Sequence, residues 1–220
     1  MVCRFALVAV AASIFGCATT GLPEPEAPYL AVRGQRLLRD TGALEGGIVH
    51  TYVIWKRRGE TAKITENRGD TNSRGGSTSW DQDDETYRLL TGRDAVEAIG
   101  RLERTLETTP TGHDRQGVYG YVMWPGPNCN SYTAGVLRRA RISVDLPPSA
   151  VGKDWPDAIP HLLGFHASTT GLGLQLDVGI LGLQVGLVEG VELHLLGSAL
   201  GVALWPPALK LPFIGRIGLQ

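Results

Sequence analysis

The sequence lacks an excess of either charge, and it lacks any long hydrophobic run. Its 220 residues include 21 Lys and Arg and 22 Asp and Glu, so the net charge is -1. Because phosphate binding requires a basic excess, this balance argues against nucleic acid as the main partner. No stretch contains the roughly 18 consecutive apolar residues that indicate a transmembrane helix. The hydrophobic content of 43% is still enough to form a sizeable core.

The first residues predict export. Residues 6–15 (ALVAVAASIF) are apolar, and this run is too short for a permanent membrane helix but suits the core of a signal peptide. It ends at residues 14–17 (IFGC), which resemble the cleavage box of bacterial lipoproteins. The resemblance implies a signal peptide over residues 1–16 and lipid attachment to the sulfur of Cys17. The alternative is ordinary secretion, with cleavage after Ala18.

A lipid at Cys17 implies a cell-envelope protein whose partner is the membrane, contacted through the lipid. One acyl chain holds weakly, so stable anchoring requires a second chain on the new amino terminus. An acidic residue directly after Cys17 would resemble an inner-membrane retention signal. Ala18 occupies this position instead, which favours the outer membrane. Residues 17–45 begin with a proline-rich stretch and are predicted to be the lipid anchor and an extended tether. Residues 46–220 are then expected to form one domain.

The central part of the chain predicts an α+β fold. Residues 48–55 (IVHTYVIW) are rich in β-branched and aromatic residues, which favours a strand, and residues 61–65 are its expected partner. Residues 67–84 are polar and contain several glycines, which predicts a long exposed loop. Thr91 is the expected cap of a helix that continues to about Thr108.

Two more elements are expected before a distinctive tail. Residues 118–124 (VYGYVMW) have the composition of a strand, and residues 130–141 predict a short helix. The last fifty residues contain ten Gly and fourteen Leu. Apolar residues alternate there with polar or small ones, which is typical of half-buried strands, and the phase changes near Ile180. We expect antiparallel strands over residues 171–204, packed on the domain. The alternative is a membrane span, but acidic residues interrupt the apolar sequence that such a span requires.

Cysteine is scarce, and the few cysteines have different expected fates. Cys3 leaves with the signal peptide and Cys17 carries the lipid, so Cys129 has no partner within the chain. Exported proteins usually pair their thiols or avoid them. Cys129 is therefore either a reactive thiol or a buried, inert one.

The segment around Cys129, PGPNCNSY, favours the reactive interpretation. The two prolines before Cys129 restrict the backbone conformation of the segment that leads into the helix. Asn128 or Asn130 can cap this helix. At a helix N-terminus the free amides and the helix dipole favour a thiolate, and the same amides can hold an oxyanion. We predict Cys129 as a nucleophile, with Asn128, Asn130 and Trp124 as substrate-binding residues. The alternative is a tight turn in which Cys129 only packs.

His50 is the best candidate for the base that a thiol nucleophile needs. It lies inside an apolar predicted strand, where a polar side chain must find a partner or remain costly to bury. A satisfied core histidine is the alternative. His113 lies in a turn-like segment, and His194 has the features of a surface position on a strand. His161 and His166 are near Asp157 only, too few ligands for a metal site, so neither a metal nor a cofactor is predicted.

Several segments resemble a bacterial family known as domain of unknown function 3750. The resemblance extends over roughly residues 46–218 and is carried by residues 49–54 (VHTYVI), 125–132 (PGPNCNSY), 150–154 (AVGKD), 189–193 (EGVEL) with 196–197 (LG), and 207–212 (PALKLP) with 215–218 (GRIG). The family implies no activity.

A looser resemblance implies one. A histidine on an early strand, followed by Asn-Cys-Asn-Ser-Tyr at the start of a later helix, is similar to circularly permuted papain-fold hydrolases. These include the deSUMOylating isopeptidase and lecithin-retinol acyltransferase groups. The resemblance implies a permuted papain-like domain with His50 as base and Cys129 as nucleophile, followed by a Gly/Leu-rich antiparallel β region. The implied function is a lipid-anchored thiol hydrolase or acyltransferase acting on an amide or ester. The alternative is a non-catalytic envelope lipoprotein that binds a partner or has a structural role.

Overall fold

The computed structural model describes residues 19–20, 24–37, 47–67, 72–109, 121–124, 126–155, 163–178 and 180–219. Cys17, the predicted signal peptide, His113 and His161 lie outside these residues. The described elements are β1 (Thr19–Thr20), β2 (Tyr29–Arg36), β3 (Val49–Lys56), β4 (Lys63–Asn67), β5 (Asn72–Ser77), β6 (Glu85–Thr91), α1 (Gly92–Thr108), α2 (Cys129–Ala140), β7 (Leu163–Ala167), β8 (Gly173–Val178), β9 (Leu181–Gly186), β10 (Gly190–Leu195), β11 (Ser198–Leu204), β12 (Pro207–Leu211) and β13 (Gly215–Gly218).

The first sheet has the strand order β1-β6-β2-β3-β4-β5, and its neighbouring strands pair antiparallel. Its central strands β2 and β3 are buried along most of their length, because the sheet has apolar clusters on both faces. One cluster lies between the sheet and the two helices and includes Val53, Ile99 and Leu137. The other includes Ile54 and Trp80. The predicted α+β class is confirmed.

Three predicted elements need correction. Residues 17–45 are not only an anchor and tether, because β2 lies in the middle of the first sheet, so the folded domain begins well before residue 46. The predicted loop over residues 67–84 contains β5, which pairs with β4. Polar and glycine residues are tolerated there because β5 is an edge strand of its sheet. The described part of the predicted strand 118–124, Tyr121–Trp124, is exposed and has no strand structure.

The second sheet is a meander of seven strands in the order β13-β12-β11-β10-β9-β8-β7. Each strand pairs antiparallel with the next along the chain, as predicted for residues 171–204. The predicted change of phase near Ile180 is the connection between Val178 and Leu181. Among the described residues, no helix is long and apolar enough to cross a membrane.

In this second sheet the polar residues of the alternating pattern are the buried ones. Leu174 and Leu176 are exposed on β8, whereas Gln175 and Asp177 between them are buried. His194, expected at the surface, is also buried. Periodicity identifies two faces but not which of them packs on the rest of the protein, and here the inner face meets polar groups of residues 143–154.

Residues 143–154 connect the two sheets. The Gly152 N–H donates to Gly197 O at 2.6 Å, and Val144 N–H donates to Thr169 O at 3.3 Å. On the other side, Val49 N–H of β3 donates to Ser149 O at 3.1 Å. One connecting segment therefore contacts both the strand that carries His50 and the meander.

Candidate functional site

Cys129 is the first residue of α2, as the sequence predicted for a helix start in this segment. Asn128 is the N-cap: its Oδ1 accepts from Asn130 N at 3.0 Å and from Ser131 N at 3.2 Å. Ser131 Oγ accepts in return from Asn128 N at 2.7 Å, which completes a capping box. These bonds do not use the Cys129 N–H, which stays at the positive end of the helix dipole.

The structure brings His50 and Cys129 together. Both are buried, with 4% and 6% exposure, and Cys129 is close enough to His50 to raise the pKa of the imidazole. Burial by itself lowers the pKa of His50, but hydrogen bonds and charges from Cys129 and Glu66 raise that pKa to about 9. His50 is therefore an imidazolium at neutral pH.

Glu66 is the third member of this group, and it was not predicted from the sequence. His50 Nε2 lies 2.8 Å from Glu66 Oε2, and Glu66 is also buried. Because Nε2 faces the carboxylate, Nδ1 is the ring nitrogen available to Cys129. A carboxylate at one nitrogen orients the ring and favours its charged form.

The antiparallel pairing of β3 with β4 places Glu66 beside His50. The register matches Val53 with Thr65, so Glu66 and His50 lie towards the same end of adjacent strands. Such diagonal neighbours on one face are within reach of long side chains. The available signal was a carboxylate one residue beyond the predicted partner strand, but the register needed to place it was not predicted.

Asn130 joins α2 to the backbone on both sides of His50. Its Oδ1 accepts from Thr51 N at 2.8 Å and from Thr51 Oγ1 at 2.9 Å. Its Nδ2 donates to Val49 O at 2.8 Å and to Val151 O at 2.9 Å. Since these bonds use both donors and both acceptor positions of the amide, Asn130 has a positioning role in the described structure, and its predicted contact with substrate stays a prediction.

Asn128 is likewise occupied by the scaffold. Besides capping α2, its Nδ2 donates to Met123 O at 2.8 Å and Val151 O at 3.0 Å. Gly152, with φ +87°, packs on this amide, where a Cβ atom would clash with Asn128 Nδ2. The predicted substrate-binding role of Asn128 likewise stays a prediction. Trp124 differs, because it is 51% exposed in the segment that leads to Cys129.

A second buried group of charges lies behind the meander. Ligand-type atoms of Asp154, Glu192 and His194 lie within 4.8 Å of one another, as a metal site would require. However, Lys153 Nζ is 2.7 Å from Asp154 Oδ2 and 3.0 Å from Glu192 Oε2, so an ammonium group already balances these carboxylates. Lys210 Nζ adds a second cation, 2.6 Å from Glu192 Oε1. We interpret the group as a charge-balanced network.

His194 belongs to the same network. Burial lowers its pKa, but the nearby carboxylates, with Asp154 the strongest, raise the pKa to about 9. His194 is therefore a further buried cation at neutral pH. His166 Nε2 lies 3.5 Å from Asp177 Oδ2 in the same sheet, so neither histidine is close to the group around Cys129 in the contacts described.

The fold and site define an α+β protein in which a cysteine at a helix N-terminus meets a buried His-Glu pair. The chain belongs to the family described as protein of unknown function (DUF3750), whose model matches residues 39–155. The match contains His50, Glu66 and Cys129 but ends before the meander, so the family resemblance expected up to residue 218 is shown only as far as residue 155. Comparison with curated proteins and with solved structures finds no match.

Proposed function

We propose that this protein is a lipid-anchored thiol hydrolase or acyltransferase of the bacterial cell envelope that acts on an amide or ester. The observation that carries the proposal is the contact of Cys129 with His50, whose other ring nitrogen lies 2.8 Å from Glu66. A nucleophile, a histidine and a group that orients the histidine are the parts that thiol catalysis requires.

In the proposed first half-reaction, Cys129 is the nucleophile and His50 is the acid. The Cys129 thiolate attacks the carbonyl carbon, and the carbonyl π electrons move to oxygen. The Cys129 N–H and the positive end of α2 stabilise this oxyanion. When the intermediate collapses, the C–N or C–O bond breaks, and the His50 imidazolium donates its proton to the departing amine or alcohol.

The second half-reaction restores the pair. Neutral His50 accepts a proton from water or from an acceptor amine, which attacks the thioester carbonyl. The C–S bond then breaks and Cys129 leaves as a thiolate beside the regenerated imidazolium. Glu66 stabilises that imidazolium in the resting state, and Asn130 keeps the backbone around His50 in register with α2.

A permuted papain-like arrangement is consistent with the order and packing of the elements. His50 precedes Cys129 in the chain, and α2 packs on β3 and β4 with the cysteine at its N-terminus. Thr133 Oγ1 donates to Thr51 O at 2.9 Å, and the Tyr132 hydroxyl lies 2.8 Å from Thr65 Oγ1. These bonds attach the helix to the strands that carry His50 and Glu66.

One observation favours the alternative, a non-catalytic binding or structural module. Cys129 is only 6% exposed, so a substrate carbonyl must reach a largely covered sulfur. The exposed side chains of Met123 and Trp124 lie in the segment just before it and offer an apolar approach.

The deciding experiment is labelling of Cys129 by an iodoacetamide probe as a function of pH, with mass spectrometry of acyl adducts formed from p-nitrophenyl esters. We expect labelling to persist at mildly acidic pH and to shift towards free-thiol behaviour in His50→Ala. His166→Ala is the matched control, because His166 lies on β7, and it should leave the profile unchanged. A profile identical in the parent protein and in His50→Ala, with no acyl adduct, would favour the binding module.

The lipid anchor is tested separately. Cys17→Ser should abolish acylation, detected as the loss of the lipid mass from the amino-terminal peptide. An unlipidated amino terminus in the exported parent protein would reject the anchor without affecting the thiol chemistry.

A further inference from the structure

The outer face of the meander, defined as the outward side chains of β7–β13, is apolar in continuous rows. One row crosses all seven strands through successive partners in the sheet register: Ala167, Leu174, Val185, Val191, Val202, Leu209 and Ile217. A second row contains Phe165, Leu176, Leu183, Leu193 and Leu200. These outward residues are exposed, so the rows form a single uncovered surface.

The exposed residues of this surface are apolar throughout residues 163–178 and 180–219. The edge strands β7 and β13 carry the partly buried ionisable residues His166 and Arg216, each with 25% of its side chain exposed. The turns at both ends of the strands continue the pattern. Their exposed residues include Ile180 and Leu187, and also Trp205 between β11 and β12.

The polar residues of the meander are withdrawn to its inner face. Glu192 and Lys210 are each 1% exposed and form an ion pair of 2.6 Å, and Lys153 pairs with Glu192 at 3.0 Å. Gln175 donates to Asp154 O at 3.0 Å on the same side. Because the inner face already contacts residues 143–154, the outer face is the one that no described part of the chain covers.

The composition of this face indicates what covers it. Protein interfaces are about 56–65% apolar and have a polar rim, whereas the described outer face and its turns expose apolar residues only. Apolar residues outward and polar residues inward is the pattern of strands that face lipid. The strands have 4 to 7 residues, fewer than the roughly 9–11 of a strand that crosses a bilayer.

We propose that the outer face of the meander inserts into the hydrocarbon of one leaflet of a lipid bilayer. Transfer of the leucine rows from water to acyl chains supplies the driving force, and no charged side chain of the described face has to be desolvated. The sheet thus provides a membrane contact that is independent of acylation at Cys17. It holds residues 143–154, and with them the helix cap before Cys129, close to the membrane surface.

The test uses the full chain with Cys17→Ser, mixed with vesicles of phosphatidylethanolamine and phosphatidylglycerol and separated by flotation. We expect this protein to float with the vesicles and to remain bound in about 1 M salt, because the attraction is not between exposed charges. Adding Leu183→Lys and Leu193→Lys, which are cross-strand partners, should reduce the bound fraction by roughly tenfold or more.

Matched controls separate the face from general hydrophobicity and from the amino-terminal apolar run. Leu37→Lys and Val96→Lys change residues with 51% and 43% exposure outside the meander, comparable with Leu193 at 52% and Leu183 at 44%. The control protein should float like its parent. In a second readout, brominated lipids should quench fluorescence from Trp205, with less quenching in Trp205→Phe. This readout needs no lysine variant to fold.

Three results would overturn the proposal. In one, the Cys17→Ser protein stays in the aqueous fraction as a monomer. In another, all variants float equally and Trp205 is not quenched, so that another segment binds the lipid. In the last, the parent does not float but is a dimer that the Leu183→Lys and Leu193→Lys changes dissociate, which would assign the face to a second copy of the chain. None of these results bears on the thiol chemistry at Cys129.

Discussion

The side-chain oxygen of Asn130 accepts hydrogen bonds from both the N–H and the hydroxyl of Thr51, the residue that follows His50. The cysteine therefore begins a helix whose next residue is bonded directly to the strand that carries the histidine. His50 and Cys129 are far apart in the sequence, so the contact of Asn130 with Thr51 helps to determine whether they meet.

Replacing Asn130 by alanine should separate the pair and destabilise the fold. The change leaves buried backbone groups of Val49 and Thr51 without this partner, which should lower the free energy of unfolding by about 3 kcal/mol. Urea unfolding measures this loss, and the acidic limb of the labelling profile of Cys129 should move to higher pH. Ser131→Ala is the control: it removes the capping box for about 1 kcal/mol and should leave the labelling profile unchanged.

Glu66→Gln should lower the pKa of His50 below about 9, because the carboxylate that favours the imidazolium is lost while the shape of the side chain is kept. NMR titration of the His50 ring measures the change directly. Glu103→Gln removes a carboxylate that pairs with Arg57 at 2.7 Å on the surface, and it should not alter the titration. An unchanged His50 titration in Glu66→Gln would show that Glu66 does not stabilise the charged ring.

The raised pKa of His50 also predicts a pH dependence of stability. The folded-state pKa of about 9 lies above the unfolded value of 6.5, so protonation stabilises the folded protein. This contribution is complete below pH 6.5 and is lost as the pH rises through about 9. Its size is on the order of 3 kcal/mol, from a shift of roughly two to three pH units. The difference in unfolding free energy between parent and His50→Ala should therefore be larger at pH 6 than at pH 10. A constant difference would contradict the prediction.

Lys210→Met should strongly destabilise the meander. Lys210 is buried and pairs with Asp145 at 3.1 Å and Glu192 at 2.6 Å, so its removal leaves carboxylates with less compensation. We expect a loss of about 3–5 kcal/mol in the free energy of unfolding, measured in urea. Lys63→Met removes a half-exposed lysine paired with Glu60 and should cost less than about 1 kcal/mol. Equal effects of the two changes would contradict the buried network.

Much of the local structure could be predicted from the sequence. The strand that contains His50 and a helix that begins close to Cys129 with an asparagine cap follow from β-branched composition and from the preference of Asn for helix starts. The sequence left the cap open between Asn128 and Asn130, and the structure shows Asn128. The antiparallel strands after Gly171 follow from an alternation with a period of two. These signals are local, because each depends on a few neighbouring residues.

Local signals failed to predict strands that form only through pairing with neighbouring strands. Residues 29–36 follow a proline-rich stretch that suggested a tether, yet they pair on both sides with β3 and β6. The segment of residues 72–77 is polar enough for a loop, yet it extends β4 at the edge of the sheet. Strand pairing satisfies backbone hydrogen bonds whatever the side chains are, so composition alone does not reveal it.

The sequence by itself determined which residue types are available for chemistry: a cysteine at a helix start and a histidine in a buried strand. Only the tertiary structure decided that Glu66 completes the group, because a contact between adjacent strands depends on register. The tertiary structure also decided that the leucines of the meander face outward. Alternation separates the two faces of a strand equally well in either orientation, and the orientation depends on the buried charges of residues 143–154 that the inner face meets.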